Sequence, residues 1–367
     1  MKRLVERAVH LSGNNDKPHS DFSALGHNMN ASNMNASLIS TTFFTPERYD
    51  SMLPIRSDLE QVERIISREL ISRHKEFTDI LHHVSQYKGK RLRPALLLAS
   101  AHACGLVNES HWVLGAAVEL IHTASLVHDD VLDSAHMRRH LPAVHTLWGT
   151  KSAILLGDCL FTNAFQMTSN LENNRACKVI GRSAHRICEG ELLQSFHSGD
   201  INITEATYFD IIDGKTAEMI SASCELGAAY AGASEAVIES MASFGRNLGM
   251  AFQIADDILD LVGHENQTGK SLGTDLDQKK LTLPLIWLLQ NGTDTDKNKI
   301  KNLLENASSA KIVQVKTILS DSGAIDYAKN KAEQFIAAGK RDLQALAPSA
   351  FRNILHDITD QILNRSC

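Results

Sequence analysis

Ile121-His122-Thr123-Ala124-Ser125-Leu126-Val127-His128-Asp129-Asp130-Val131-Leu132-Asp133 places three aspartates at the end of an otherwise apolar run. A second run, Phe252-Gln253-Ile254-Ala255-Asp256-Asp257-Ile258-Leu259-Asp260, repeats Asp-Asp-x-x-Asp in the same kind of setting. Residues four apart share a helix face, so Asp129 and Asp133 point one way, and Asp256 and Asp260 do likewise. Carboxylates gathered in this way repel one another and are costly to bury unpaired. One such run is equally well a solvated helix end. Two in one chain, both flanked by apolar residues, point to a shared positive partner. Hard oxygen ligands suit Mg²⁺, which commonly reaches a protein through one or two carboxylates together with substrate phosphates.

Outward from these runs the pattern is helical. Leu59, Val62, Ile65, Ile66, Leu70 and Ile71 recur at three- and four-residue steps, as do Val237, Ile238, Met241, Phe244, Leu248, Ala251, Phe252, Ala255 and Leu259. No proline lies between Pro142 and Pro284, as long uninterrupted helices require. Period-two strand patterns are absent. Breaks rich in Gly, Asn, Asp or Ser fall near 105–110, 169–175, 198–204, 231–235, 263–275 and 291–297. The fold class is therefore all-α, a bundle of roughly ten or more helices, with one domain from 52 to 367. Residues 1–51 are rich in Asn, Ser and His and repeat Asn-Met-Asn-Ala-Ser in tandem. Such a stretch cannot bury enough surface to fold alone and is expected to be disordered. Its basic start could serve as an organelle address, but Glu6 and Asp16 count against that reading.

Of the 367 residues 43% are hydrophobic, enough for a sizeable core, and the net charge of −6 argues against a nucleic-acid surface. The six cysteines lack Cys-x-x-Cys spacing, which reads as reduced thiols in a cytoplasmic protein. No 18-residue uncharged apolar run suggests a membrane span.

Cations accompany the carboxylates. Lys88-Gly89-Lys90-Arg91-Leu92-Arg93-Pro94 precedes an apolar helix, with Pro94 suited to its first position. A lone run of this kind is usually a solvated basic turn, yet crowded arginines also match phosphate. Arg138-Arg139, Lys215-Thr216, Gly269-Lys270 and Lys279-Lys280 add further candidates. Cations and carboxylates in one site make sense if metal ions and a diphosphate lie between them, an arrangement suited to breaking a carbon–oxygen bond to diphosphate.

At this point the chain resembles a trans-isoprenyl diphosphate synthase of the polyprenyl, long-chain kind. The resemblance rests on Gly89-Lys90-Arg91-Leu92-Arg93-Pro94, both aspartate motifs, Arg138-Arg139, Gly157-Asp158, Glu189-Gly190-Glu191, Gly214-Lys215-Thr216-Ala217, Phe252-Gln253, and Gly273-Thr274-Asp275-Leu276 through Lys280-Leu281-Thr282-Leu283-Pro284. It implies an isoprenoid-synthase-type bundle around a central cavity, two or three Mg²⁺ ions, and isopentenyl and allylic diphosphates as substrates. Lys90, Arg93, His122 and Arg139 would hold isopentenyl diphosphate. Asp129, Asp133 and Asp256 would hold Mg²⁺, with Asp130, Asp257 and Asp260 supporting them directly or through water. Arg138, Lys215, Lys270 and Lys280 would contact the allylic diphosphate, while Thr216 and Gln253 line the reacting centre. His122 alone reads as a core histidine; the resemblance reverses that reading.

In this family a bulky aromatic four or five residues before the first motif stops the product at short lengths. Ser125 and Ala124 stand there, so a product longer than farnesyl is expected, such as a quinone side-chain precursor. The resemblance also implies a homodimer, with at most transient membrane contact through the product. Lys88 and His140 depart from the family pattern, which favours small residues there; His140 would be poorly tolerated if its position needs positive φ. A shorter-chain synthase or a non-catalytic subunit of a heteromeric synthase are the alternatives. The latter would normally have lost aspartates or cations, and a terpene cyclase would not need Lys90 and Arg93.

Overall fold

A computed structural model of the protein describes residues 53–87, 89–263, 273–305 and 311–363. The expected disordered extension over 1–51, Lys88 and Lys270 lie outside the described residues. The chain passes through α1 (Arg56–Glu69), α2 (Lys75–Ser85), α3 (Leu92–Cys104) and α4 (Glu109–Leu132), then a hairpin of β1 (Met137–Arg138) and β2 (Leu141–Pro142). There follow α5 (Val144–Ser169), α6 (Arg175–Phe196), α7 (Glu205–Ile212), a π-turn over Asp213–Ala217, α8 (Glu218–Tyr230) and α9 (Glu235–Val262). The last part adds α10 (Thr274–Asp277), α11 (Leu283–Asn291), α12 (Asp294–Glu305), α13 (Lys311–Asp321), α14 (Ala324–Asp342) and α15 (Ala350–Leu363). Among the described residues the fold is all-α apart from the hairpin, and its long helices end beside the polar breaks read from the sequence.

The core is organised on α8, whose residues from Glu218 to Ala228 are all buried. Its Ser, Ala, Cys and Gly residues keep the helix thin enough for neighbours on every side. α3, α4, α6 and α9 pack around it, and α15 closes on α3. Two carboxylates enter this core. Burial alone would raise the Glu218 carboxyl, but hydrogen bonds from Arg182, Arg246 and Ser183 overturn that effect and hold it below its usual range. Arg182 also pairs with Glu225. On α9 the apolar series behaves as its period requires. Ile238, Met241, Phe244, Leu248, Ala251 and Ala255 are buried, and Val237, Phe252 and Leu259 are half-buried.

Two local features escaped the sequence reading. α3 begins at Leu92, so Pro94 is the third helical residue rather than the first. It is tolerated there because first-turn N–H groups have no partner within the helix. The hairpin has strands of only two residues, too short for a period to register. Its register pairs Met137 with Pro142 and Arg138 with Leu141. The Arg139-His140 turn has φ of 52° and 65°, the paired left-handed geometry that favours Asn and Gly. The doubt attached to His140 is thus answered: its position does require positive φ. His140→Gly is expected to stabilise the protein by roughly 0.5–1 kcal/mol. The check is a higher urea midpoint with an unchanged slope.

Candidate active site

α4 carries the first aspartate motif to its C-terminal end, where Asp133 caps the helix. The three carboxylates have different surroundings. Asp129 is half-buried. Burial pushes its pKa up to about 6 against the field of Lys215, with Glu191 and Asp133 adding to the rise. Asp130 is 1% exposed and turns inward. Its Oδ1 accepts a hydrogen bond from Arg138 Nε at 2.8 Å and a second from the same guanidinium. Its Oδ2 is buried with no hydrogen-bond partner among the described residues. Asp133 accepts bonds from Lys280 Nζ at 3.0 and 3.2 Å.

The second motif lies in the last turns of α9 and divides the same way. Asp256 is exposed and Asp260 half-buried. Asp257 is 5% exposed, and its oxygens accept hydrogen bonds from the Tyr208 hydroxyl at 2.6 Å and the Gln253 amide at 2.8 Å. Burial holds its pKa well above the ordinary carboxylate range.

Two lysines join the acidic faces. Lys280 follows the second motif in the chain yet binds Asp133 of the first. Its backbone N–H donates to the Asp275 carbonyl, and the Asp275 N–H donates to Asp260 Oδ2 at 3.2 Å. Lys215 pairs with Glu191 and lowers the pKa of both Asp129 and Asp275. Burial raises the Asp275 carboxyl to about 6, with Asp260 and Asp256 adding to the shift and Lys280 opposing it.

Lys215 reaches this position because two glycines let α6 and the π-turn touch. A Cβ on Gly190 would lie 2.9 Å from the Lys215 backbone nitrogen, and one on Gly214 2.6 Å from the Arg186 carbonyl. Ion pairs from Arg186 and Arg246 to Asp213 fix the start of the turn. Such π-turns are frequent at functional sites because the extra residue re-aims the side chains beside it. Here the next residue, Thr216, donates its hydroxyl to Gln253 Oε1 at 2.8 Å.

Beside the acidic faces lies a basic pocket. Arg91 pairs with Glu63 and with buried Glu119, so its charge is already matched. Arg93 and Arg139 lie in the field of Glu119, and burial lowers the pKa of both. Arg93 Nε is buried without a hydrogen-bond partner among the described residues. Arg139 donates to the Tyr87 carbonyl at 2.6 Å and covers Gly89, where a Cβ would lie 2.6 Å from its guanidinium. His122 is pushed well below its ordinary pKa by burial and by Arg93, Arg139, Arg91 and Arg138. It therefore faces a cationic pocket rather than an apolar core. Lys90 is exposed.

The structure thus brings Asp129, Asp133, Lys215, Lys280, Asp256 and Asp260 to one region, and Arg93, His122 and Arg139 to its neighbour. Asp130, Asp257 and Arg138 have their charged groups engaged inside the protein, Asp130 with Arg138 and Asp257 with Tyr208 and Gln253. Sequence reasoning gave no role to Glu119, Glu191, Asp275 or Tyr208. Glu119 had a signal, standing one helical step before His122 on the same face. Asp275 and Glu191 had none beyond lying in motif stretches.

Among the described residues no three His, Cys, Asp or Glu side chains converge to hold a metal ion by themselves. The donor set still fits a divalent ion shared with a ligand. Asp129 and Asp133 offer hard oxygens on one face, and the raised Asp129 pKa records a carboxyl held out of water, with Glu191 and Asp133 nearby, whose charge a cation would stabilise.

Known proteins agree with this geometry. The sequence profile of the family described as Polyprenyl synthetase matches residues 74–321. An all-trans-nonaprenyl-diphosphate synthase (geranyl-diphosphate specific) of Rhodobacter capsulatus is 34% identical, over 87% of this chain and 98% of that protein. A short chain isoprenyl diphosphate synthase of Methanothermobacter thermautotrophicus is 36% identical, over 77% and 88%. The crystal structure of a Caulobacter crescentus polyprenyl synthase complexed with calcium and isoprenyl diphosphate superposes with a TM-score of 0.82 at 33% identity, covering 87% of this chain and 98% of that one. The chain belongs to the polyprenyl synthetase family, and it is a prenyltransferase.

Proposed function

We propose that the protein condenses isopentenyl diphosphate with an allylic diphosphate, head to tail and in trans, to make a long-chain polyprenyl diphosphate. The observation that carries this reading is the pair of adjacent anion sites. Lys215 and Lys280 stand between two acidic faces, while Arg93, Arg139 and His122 form a separate cationic pocket. One site takes the allylic diphosphate and the other isopentenyl diphosphate.

Asp129, Asp133 and Asp256, with Asp260 in support, would hold two or three Mg²⁺ ions. When bound, the metal supplies Lewis-acid stabilisation of the leaving diphosphate. Lys215 and Lys280 bind its remaining oxygens, and the allylic carbon–oxygen bond breaks. The Thr216 and Gln253 oxygens face the allylic cation. Arg93, Arg139, His122 and Lys90 hold isopentenyl diphosphate so that its double bond attacks that cation. A new carbon–carbon bond forms, and the proton lost from the isopentenyl unit passes to a diphosphate oxygen. The protein contributes orientation, fixed charge and exclusion of water, and no covalent intermediate is needed. Asp130 and Asp257 hold neighbouring side chains instead of metal. The test is incubation of purified protein with labelled isopentenyl diphosphate, each allylic primer and Mg²⁺, followed by product sizing. No incorporation by folded protein would favour a subunit of a heteromeric synthase; a heptaprenyl diphosphate synthase component 2 of Geobacillus stearothermophilus is 34% identical.

Product length is set between α4 and α5, which pack along each other. Ala124 is fully buried and Ser125 half-buried, its hydroxyl donating to the His122 carbonyl. Neither side chain can block a growing chain. Ser125→Phe is expected to shorten the product with little loss of stability. Ala124→Tyr should shorten it too, at a cost of about 1–3 kcal/mol from overpacking. Unchanged products from both variants would refute the open-tunnel reading.

Residues 52–367 act as one synthase domain, since α1 and α15, from opposite ends of the sequence, both pack on α3. Exposed Leu147, Ile154 and Leu155 on α5, with Leu192 and Phe196 on α6, suit a homodimer interface. Free cysteines suit a cytoplasmic location, and no helix of the described residues is long and apolar enough to cross a membrane.

A further inference from the structure

We propose that Tyr208 is a positioning residue for this reaction, acting through Asp257 and Gln253 on the Thr216 hydroxyl; the inference rests on the function proposed above. The observation is a continuous chain of three hydrogen bonds. The Tyr208 hydroxyl donates to one oxygen of Asp257 at 2.6 Å, and the Gln253 amide donates to the other at 2.8 Å. The Thr216 hydroxyl then donates to Gln253 Oε1 at 2.8 Å.

Each link fixes the direction of the next. Both Asp257 oxygens accept, one from the Tyr208 hydroxyl and the other from the Gln253 NH₂, so the NH₂ end of Gln253 is turned towards Asp257. The carbonyl end of Gln253 must then face Thr216, and it accepts the Thr216 proton. With that proton committed, the lone pairs of Thr216 are left for a positive centre. If Gln253 turned over, its NH₂ would face Thr216, and the hydroxyl proton could point at the cation it should stabilise.

Tyr208 is the anchor of this chain. It is 3% exposed on α7, and α7 packs against both the π-turn that carries Thr216 and the helix α9 that carries Asp257 and Gln253. Burial, with Asp257 and Asp275 nearby, keeps its hydroxyl protonated and so a donor. Both Asp257 oxygens are engaged in this chain, whereas the adjacent Asp256 is exposed. The two aspartates thus divide the work, Asp256 facing outward and Asp257 setting the orientation of Gln253. Buried networks of this kind hold one arrangement only while every member is satisfied.

The experiment measures turnover of Tyr208→Phe, which keeps the ring and removes only the donor. The expected result is a kcat lowered about ten- to hundredfold, the range for leaving a buried acceptor without its donor. KM for both diphosphates and the half-saturating Mg²⁺ concentration stay within about twofold. A purely packing role would lower thermal stability and leave kcat of the folded fraction unchanged. In the double variant with Thr216→Val, kcat should fall no further than in Thr216→Val alone. Unchanged kcat, multiplicative losses in the double variant, or a shifted Mg²⁺ requirement each overturn the proposal. If Tyr208→Phe does not fold, Asp257→Asn decides. An unchanged half-saturating Mg²⁺ supports the assignment, and a tenfold rise makes Asp257 a metal ligand and overturns it. Wild-type protein is the control: its failure to incorporate label removes the parent reading and this inference together, while an active wild type beside an unaffected Tyr208→Phe removes this inference alone.

Discussion

Asp129→Asn is expected to lower kcat by about 10³-fold and, above pH 6, to make the metal-free protein more stable. The two effects share one cause. Asp129 is held in a half-buried place with Glu191 and Asp133 nearby; under the proposed function that place receives a metal-bound diphosphate, and without such a partner its charge is a liability. Loss of a metal ligand removes several kcal/mol of charge stabilisation, which accounts for the fall in rate. The stability effect follows from proton binding. The Asp129 carboxyl titrates at about 6 in the fold and near its ordinary value of 3.8 when the chain is unfolded. Between these values the native state holds more protons, so its stability falls as pH rises through that window. A shift of about two units corresponds to roughly 3 kcal/mol at most. Asparagine removes the titration while keeping the shape. Its advantage over wild type should be small near pH 4, grow towards pH 6 and level off above it. Thermal melts without metal, run across that pH range, check this. Added Mg²⁺ with diphosphate should reverse the order by stabilising only wild type. A variant less stable than wild type at pH 7 without metal would show that Asp129 is held by a favourable partner instead.

Arg138→Met should destabilise the fold by about 3–5 kcal/mol, because it strips the counter-charge from a carboxylate that is 1% exposed. Asp130 has no hydrogen-bond partner for its second oxygen among the described residues, and burial already raises its pKa. Once Arg138 is gone, Asp130 must either carry an unpaired charge or take up a proton. The loss should therefore be smaller at pH 5 than at pH 8. Adding Asp130→Asn to Arg138→Met should restore much of the stability, as the unpaired charge then disappears. Urea midpoints of the two single variants and the double variant form the cycle that measures this. Additive losses would mean that the pair does not interact. The result bears on catalysis as well. It would make the middle aspartate of the first motif an anchor for the hairpin that presents Arg139, matching the inward role of Asp257 in the second motif.

Much of this is legible in the chain. The helical period of α9, the polar breaks and the two Asp-Asp-x-x-Asp runs are local properties, and local spacing fixes which residues share a helix face. That is why spacing alone groups Asp129 with Asp133, and Asp256 with Asp260. It also places His122 on the face of Asp129, though whether that face meets core or charge is not a local property. The hairpin leaves no trace because two-residue strands carry no period, and its left-handed turn is occupied by Arg139 and His140 rather than the usual Asn and Gly.

The sequence by itself determined the fold class, the two acidic helix faces and the family. Only the tertiary structure decided which carboxylates meet the lysines between the acidic faces and which turn inward. Asp129 and Asp130 are neighbours of identical chemistry, yet one lies in the field of Lys215 and the other is held by Arg138. Adjacent helix positions point about 100° apart, so one side chain meets the site while the next meets the packing of other helices. What each meets is set by segments remote in sequence: the hairpin, the π-turn, and Lys280 reaching back to Asp133.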